Sequence, residues 1–243
     1  MARTANPGEL HVHDRPIAPG GPPIRNVFDK IIRVHLDFQV GKPSRVFEDA
    51  FPDPIELSLY PIPPGKRRPW WTIVTSGMSS APMRVREPGE PERLEHAELC
   101  MLLPPDWPVG DPGADEEHWP LTMLGDLARL PHQYDTWLGP SHVVANGSPL
   151  EPYAPMARFA GAIVLPPRLN GRRFERFRAT DEVTIRFLAV VPLLPDELAL
   201  AERVGSPVLA EMLARNGVTE LLAPDRASVA PGSGLTGKRE SLE

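Results

Sequence analysis

Cysteine is almost absent from this chain. Cys100 is the single cysteine among 243 residues, so no disulfide can form within the chain. It lies in an apolar run, where a buried and unreactive thiol is the expected state. The cysteine content therefore gives no support to an oxidising compartment.

Long apolar runs are absent as well. No stretch approaches the ~18 consecutive apolar residues that a membrane-spanning helix needs. The first residues are polar and rich in proline, without the apolar centre of a secretory signal. We therefore expect a soluble, cytoplasmic protein with no membrane partner.

Motifs that carry chemistry are scarce. Ser76 and Ser79 follow a strand-like run, but the G-x-S-x-G elbow of a hydrolase is missing, and Met78 stands where a small residue is needed. His11 and His13 form a His-x-His pair in a segment expected to be flexible, which makes a weak metal site. The sequence predicts no catalytic residue, no cofactor and no metal; an enzyme whose site is assembled from distant residues stays open as a minor alternative.

An excess of positive charge is also lacking. The formal net charge of -6 gives no uniform basic field for binding nucleic acid. The charge is unevenly distributed: residues 87–117 contain ten acidic residues and one basic residue, whereas residues 158–178 contain six arginines and one acid. These runs are either two solvated surface segments or a bipolar surface that steers a charged protein partner.

Proline, in contrast, is abundant. The chain has 32 prolines, far above the typical ~5% of residues. They are scattered beside short apolar runs, which predicts a loop-rich fold with short elements. We expect a flexible N-terminal arm at 1–22, one folded domain at 23–225 and a flexible C-terminal tail at 226–243.

Apolar periodicity indicates an α+β domain. A stripe with helical spacing predicts a first helix carrying Ile24, Val27, Phe28, Ile31, Ile32 and His35. The run 55–60 alternates apolar and polar residues, as a half-buried strand does. Further strands are predicted at 70–75, 96–103, 160–165 and 183–191, and further helices at 120–130, 195–205 and 207–215. Together they predict a mixed β-sheet with flanking helices.

Four blocks of sequence, in order, resemble the suppressor-of-fused domain family. The first is the strand and loop from Trp71 to Ser79, followed by Pro82 and Met83. The second runs from Ala97 through Leu103 to Trp107. The third begins at Trp119-Pro120-Leu121, and the last comprises Val190-Val191-Pro192-Leu193 with Glu197, Gly205 and Leu209.

The resemblance covers most of residues 24–215 and implies the fold of that family and a protein-binding function. The sequence lacks the additional C-terminal domain of the animal protein and looks like the shorter bacterial form, so the animal partner is not carried over. Many bacterial members are thought to be immunity proteins, which implies a non-catalytic protein that neutralises a cognate toxin. A regulatory or adaptor module with another protein partner is the alternative.

Two groups of residues are the predicted partner contacts. In the loop of the first block, methionines present soft, adaptable apolar surface; the acidic segment could meet a basic toxin such as a nuclease. The predicted contacts are Ser76, Gly77, Met78, Ser79, Met83, Asp111, Asp115, Glu116 and Glu117. The loop residues also have a purely structural explanation, as the shaping of a tight turn. Whether Trp70, Trp71 and Trp107 belong to the core or to an interface, and whether the chain oligomerises, stays open.

Overall fold

The computed structural model describes residues 3–6, 9–12, 22–48, 53–85, 94–110 and 116–232, with backbone only at 3–6, 9–12 and 116. Within these residues the chain forms ten strands and four α-helices. The strands are β1 (Arg3–Asn6), β2 (Glu9–Val12), β3 (Phe47–Glu48), β4 (Ser58–Ile62), β5 (Trp71–Ser76), β6 (Ala97–Leu103), β7 (Val143–Ala145), β8 (Gly161–Leu165), β9 (Arg176–Arg178) and β10 (Thr184–Leu193). The helices are α1 (Asp29–Gln39), α2 (Trp119–Gln133), α3 (Pro195–Val204) and α4 (Ser206–Arg215).

All ten strands join one mixed sheet. Their order is β2-β1-β7-β8-β10-β6-β5-β4-β3, and β9 also pairs with β10. β10 runs parallel to β6 and antiparallel to β8 and β9. A sheet of mixed direction with flanking helices confirms the predicted fold class.

Helices cover both faces of the sheet. Leu99 and Met101 of β6 belong to the apolar cluster that contains α2, whereas Cys100 between them belongs to the cluster that contains α1. Along β10, Ala189 contacts the α1 cluster, and Val191, on the same face, contacts the cluster that contains α3 and α4. The central strands are therefore buried on both sides, and the core consists of two apolar layers.

This two-sided cover corrects the prediction of a half-buried strand at 55–60. The strand runs instead from Ser58 to Ile62, and all five of its residues are buried. Leu59 faces the α2 layer, and Tyr60 and Ile62 face the α1 layer. Alternation in the sequence suggested one solvent-exposed face, but α1 packs on that face. Ile55 lies outside the strand and forms an isolated bridge with Ile24.

The first helix also differs from its prediction. It begins at Asp29, so Ile24 and Val27 lie before it. Ile32 and Leu36 are fully buried against the sheet, and Phe28 is partly buried beside them. Val27, in contrast, is 65% exposed. The predicted stripe is therefore not one helical face: Ile24 and Val27 precede the helix, and Ile32 lies on the side that faces the sheet.

The longer predicted elements are confirmed as β5, β6, α2, β8, β10, α3 and α4. Gly205 ends α3, and Asn216 follows the last residue of α4. The short strands β7 and β9 were missed. Each has three residues, and β9 carries two exposed arginines, so neither has an apolar pattern long enough to indicate a strand.

The terminal segments contain ordered contacts. β1, inside the stretch expected to be a flexible arm, pairs with β7, and the rest of 1–21 outside the two strands lies beyond the described residues. Near the other end, Arg226 forms a bidentate ion pair with the fully buried Glu197. Its Nη1 lies 2.5 Å from Oε1 and its Nη2 lies 2.6 Å from Oε2. Glu197 also accepts a hydrogen bond from the Val229 amide. Residues 233–243 lie outside the described part, and the domain boundaries stay a prediction.

The segment after α4 also contains a buried glutamate, Glu220, which is 2% exposed. Its Oε1 accepts hydrogen bonds from the backbone amides of Arg168 and Leu169 at 2.7 and 2.6 Å. The neighbouring Leu221 forms a bridge with Leu102 of β6. The segment after α4 is therefore bound both to the sheet and to the loop after β8.

Among the described residues, none of the helices has the length and apolar character required to cross a membrane.

Substitution of Trp107 tests whether this tryptophan of the second block stabilises the core. It is half-buried against the α2 layer, and its Nε1 donates to the Glu117 carbonyl at 3.0 Å. We expect Trp107→Ala to lower the free energy of unfolding by about 2 kcal/mol or more, since it removes a large apolar contact. Trp107→Phe, which loses only the hydrogen bond, should cost about 1 kcal/mol. Urea denaturation measures both; a Trp107→Ala variant of normal stability that no longer binds a partner would make Trp107 an interface anchor.

Candidate functional site

The loop after β5 carries the most distinctive sequence of the chain, and it is buried. β5 ends at Ser76, Gly77 follows with a φ of +135°, and Met78–Ser80 form a single 3-10 turn. A Cβ on Gly77 would lie 2.2 Å from the Glu56 carbonyl oxygen. Only glycine fits this position, because the chain turns with a positive φ directly against the neighbouring backbone.

Glu98 of β6 organises this loop. The side chain is fully buried. Its Oε1 accepts hydrogen bonds from the Gly77 amide at 2.9 Å, the Ser79 amide at 3.0 Å and the Ser79 hydroxyl at 2.6 Å. Its Oε2 accepts one from the Thr75 hydroxyl at 2.6 Å. Four donors from one short segment therefore converge on a single carboxyl group.

The protonation of Glu98 reflects two opposed effects. Burial raises the pKa of the carboxyl group because the charged form loses its hydration, while the hydrogen bonds from Ser79, Thr75 and Gly77 oppose the increase. The net direction is upward. Because every partner is a donor at the end of β5 or in the loop that follows it, the arrangement holds this backbone in place.

Two histidines hold the loop from its other side. His96 Nδ1 lies 2.7 Å from the Ser79 carbonyl oxygen, and His132 Nε2 of α2 lies 2.8 Å from the Met78 carbonyl oxygen. In each pair the ring N–H donates. Burial lowers the pKa of His132, so its neutral form is favoured. These contacts fix backbone carbonyls, whereas a nucleophile would need a histidine at the seryl oxygen.

The loop also fixes the start of α1. Asn26 Nδ2 donates to the Ser76 carbonyl at 2.9 Å, and the Ser76 hydroxyl donates to Asp29 Oδ1 at 3.0 Å. The Tyr60 hydroxyl donates to the same oxygen of Asp29. The Val27 amide donates to the hydroxyl of Ser80 at 3.2 Å. The position of α1 on the sheet therefore depends on the conformation of this loop.

The burial of the loop corrects one group of predicted partner contacts. Ser76, Met78 and Ser79 are fully buried, Gly77 is buried, and Met83 is 3% exposed. Both methionines belong to the apolar cluster of α2. Soft side chains after a strand suggested a contact surface, but the turn at Gly77 directs them into the core, so they do not offer surface to a partner.

The acidic group of predicted contacts remains a prediction. Asp111 and Asp115 lie outside the described residues, as does the side chain of Glu116. Glu117 is exposed, and its backbone accepts the Trp107 hydrogen bond described above.

The arginine-rich run 158–178 is spread over several parts of the surface. Arg158 contacts the Arg226 carbonyl, whereas Arg176 lies on β9. Directly opposite Arg176 on the paired strand is Arg186 of β10, which the run along the sequence did not include. The cross-strand pair places two arginines opposite each other, an arrangement that like-charge repulsion makes unfavourable.

Sequence reasoning missed Glu98, His96, His132 and Asn26 as the residues that organise the loop. Glu98 did leave a signal, since it is a lone carboxylate inside an otherwise apolar strand, and such a group is buried and bonded. The two histidines and Asn26 left none, because they approach the loop from distant parts of the chain. Within the described residues, no three His, Cys, Asp or Glu side chains are grouped so as to hold a metal ion.

Comparison with known proteins matches this architecture to one family. The family profile described as suppressor of fused protein (SUFU) matches residues 52–227. A Neisseria gonorrhoeae protein described as a SUFU homologue has a similar fold, with a TM-score of 0.61 and 15% identity, over 84% of this chain and 97% of that chain. A comparison with curated protein sequences finds no significant match.

Two further solved structures share the fold. A chain in the crystal structure of the Sufu–Fu complex has a TM-score of 0.54 and 17% identity, over 86% of this chain and 93% of that chain. Drosophila Suppressor of Fused has a TM-score of 0.53 and 17% identity, over 93% of this chain and 53% of that chain. This chain therefore matches about half of the Drosophila chain.

Substitution of Gly77 tests the geometry of the loop after β5. We expect Gly77→Ala to lower the free energy of unfolding by about 3 kcal/mol or more, because it combines a strained φ with a close approach to the Glu56 carbonyl. Gly171→Ala is the matched control: its φ is +80°, and a Cβ there would meet nothing within 4 Å among the described residues. The control should cost about 1 kcal/mol. Equal losses in chemical denaturation would show that the close approach is relieved by movement of the loop.

The pH dependence of stability, measured against a Glu98 variant, tests the role of the buried carboxyl group. A carboxyl group whose pKa is raised in the folded state stabilises that state fully when the pH is below the group's ordinary pKa of 4.5. This contribution is lost as the pH rises through the pKa of the folded state. We therefore expect the stability of the natural protein, measured relative to Glu98→Gln, to fall as the pH rises above 4.5. Denaturation of both proteins across a pH series measures this difference.

The opposite trend would mean that the four hydrogen bonds outweigh burial. Glu98→Leu provides the second comparison, because it leaves the Gly77 and Ser79 amides without an acceptor. It should cost about 3 kcal/mol or more at every pH.

Proposed function

This chain belongs to the suppressor of fused (SUFU) protein family, and we propose that it acts by binding another protein, as an immunity protein that neutralises a cognate bacterial toxin. The observation that carries the binding function is the likeness to a chain in the Sufu–Fu complex, which extends over 86% of this chain. The immunity role rests on what the resemblance implies for single-domain bacterial members.

The chemistry of the loop after β5 is compatible with this proposal. Its amides and hydroxyls bond to the carboxyl group of Glu98 on β6, and other groups beside the turn bond to the start of α1, which gives a fixed scaffold. A fixed scaffold favours tight binding, because little conformational freedom is lost on association. We therefore place the contacts with the toxin on exposed side chains around the domain.

The acidic segment is the proposed contact with a basic toxin. Ten acidic residues lie within 87–117 against one basic residue; one of the ten, Glu98, is buried, so the proposed contact is made by the others. A toxin that cleaves nucleic acid must itself hold phosphate and therefore presents a basic site. Occlusion of that site by carboxylates would neutralise the toxin and accelerate association through complementary charge.

Capture of the natural partner tests the proposed function. The tagged chain is used to purify partners from its own lysate at low and at moderate salt, and the retained protein is then expressed alone and with this chain. We expect one stoichiometric partner that arrests growth when alone and is harmless when coexpressed. A harmless partner would favour the regulatory or adaptor alternative, and the failure to retain any protein at either salt would contradict the binding function.

Charge reversal tests the acidic contact. We expect replacement of Asp115, Glu116 and Glu117 by lysine to slow association with the captured partner by about tenfold or more at low ionic strength and to flatten its salt dependence. Stopped-flow or surface binding kinetics measure both effects.

The matched control reverses Glu151, Glu182 and Glu202, which are exposed and add the same charge elsewhere. Equal effects of the two triple variants would assign the change to net charge. An unchanged association rate in the first variant would remove the acidic segment from the interface.

A further inference from the structure

Helix α1 carries a second apolar stripe on its outer side. Val27, Val34 and Phe38 are 65%, 50% and 83% exposed, and Ile31 between them is half-buried. We call these four residues the outer stripe. The inner side of the same helix is already occupied, since Ile32 and Leu36 lie fully buried against the sheet. The outer stripe is therefore not explained by the core of the domain.

The spacing of the outer stripe is that of a helix–helix seam. Ile31, Val34 and Phe38 follow one another at intervals of three and four residues, which places them along one line of α1, and Val27 lies in the turn just before the helix begins at Asp29. Single exposed apolar residues are ordinary, but three in line on one helix, with Val27 exposed in the turn before them, indicate an interaction surface.

The stripe is also symmetric about its centre. If a second α1 lies antiparallel across it, Val27 faces Phe38 of the second copy and Ile31 faces Val34 of the second copy. The largest side chain, that of Phe38, then meets a valine at each end, and an isoleucine meets a valine in the middle. A surface that is complementary to itself after a two-fold rotation is what an isologous dimer requires.

The charges beside the stripe agree with the same arrangement. Lys30 and Asp37 are both exposed and are seven residues apart, so they lie on the same flank of the outer stripe. In an antiparallel pair of helices the equivalent flanks face each other. Lys30 of each copy then approaches Asp37 of the other, which gives two opposite-charge contacts; in a parallel pair this flank would face the opposite flank of the second helix, so Lys30 and Asp37 would not meet.

The rest of the domain holds α1 firmly enough to present this seam. Its N-terminal end is bonded to the loop after β5 through Asn26 and Asp29, as described above. On the other flank, the ring of His35 stacks on Phe177 of β9, with a centroid distance of 4.4 Å. The stripe is thus a fixed feature of the surface.

From these observations we propose that two copies of this chain form a symmetric homodimer through antiparallel contact of their α1 helices. The interface is small, since one helix of 11 residues provides its centre, and it lies at the low end of the size range for specific contacts. The dimer is therefore weak and depends on concentration. The proposal concerns the free chain and does not depend on the proposed function.

Sedimentation of the full chain from micromolar to millimolar concentration tests the dimer. We expect a reversible monomer–dimer equilibrium that Phe38→Glu weakens about a hundredfold or more, because each dimer contains two copies of the substituted site. Met156→Glu is the matched control, since Met156 is also 83% exposed and the charge change is identical; it should leave the equilibrium unchanged. Circular dichroism and thermal unfolding confirm that both variants fold.

A charge swap tests the orientation of the helices. Lys30→Asp and Asp37→Lys should each weaken the dimer about threefold to tenfold, because each replaces two attractive contacts by repulsive ones. The double variant restores opposite charges across an antiparallel interface and should recover the affinity of the natural chain.

Three results would overturn the proposal. They are a natural chain that stays monomeric up to millimolar concentration, a dimer that Phe38→Glu does not weaken, and a double charge variant that remains as weak as the single ones. If the chain is monomeric but Phe38→Glu loses the partner captured from lysate, the outer stripe belongs to a heterologous interface.

Discussion

The hydrogen bonding of one buried carboxyl group, that of Glu98, is the interaction on which the rest of this structure depends. A carboxyl group removed from water is costly unless donors replace its hydration; the loop after β5 supplies three of them, and Thr75 of β5 supplies a fourth. Those donors can converge only if the chain turns at Gly77 with a positive φ. The same turn sends Met78 into the core and brings Ser76 to Asp29, so the start of α1 is fixed by the same contact.

Two other buried glutamates repeat this principle. Glu197 binds Arg226 and the amide of Val229, and Glu220 binds the amides of Arg168 and Leu169. Each carboxyl group joins segments that are distant along the chain. In a fold with many prolines and short strands, such ties supply hydrogen-bond acceptors to loop amides that regular pairing does not reach.

The distinctive sequence and the solvent-exposed side chains therefore lie in different places. The loop of the first block is buried, whereas Glu117 and Arg176, and Val34 and Phe38 of the outer stripe of α1, are exposed. This separation lets one framework present different surfaces, since exposed side chains can change without disturbing the buried contacts.

The sequence by itself determined the class of the fold, the family and most of the longer elements, because strands such as Trp71–Ser76 and helices with regular apolar spacing are encoded locally. Tertiary structure decided which sides of those elements are buried. Both faces of Ser58–Ile62 are buried, the predicted stripe of α1 is not one continuous face, and Met78 lies in the core. The physical reason is that burial and hydrogen bonding are properties of neighbours in space: Glu98 shows along the chain as one carboxylate in an apolar strand, and its donors meet it only after the strands pair.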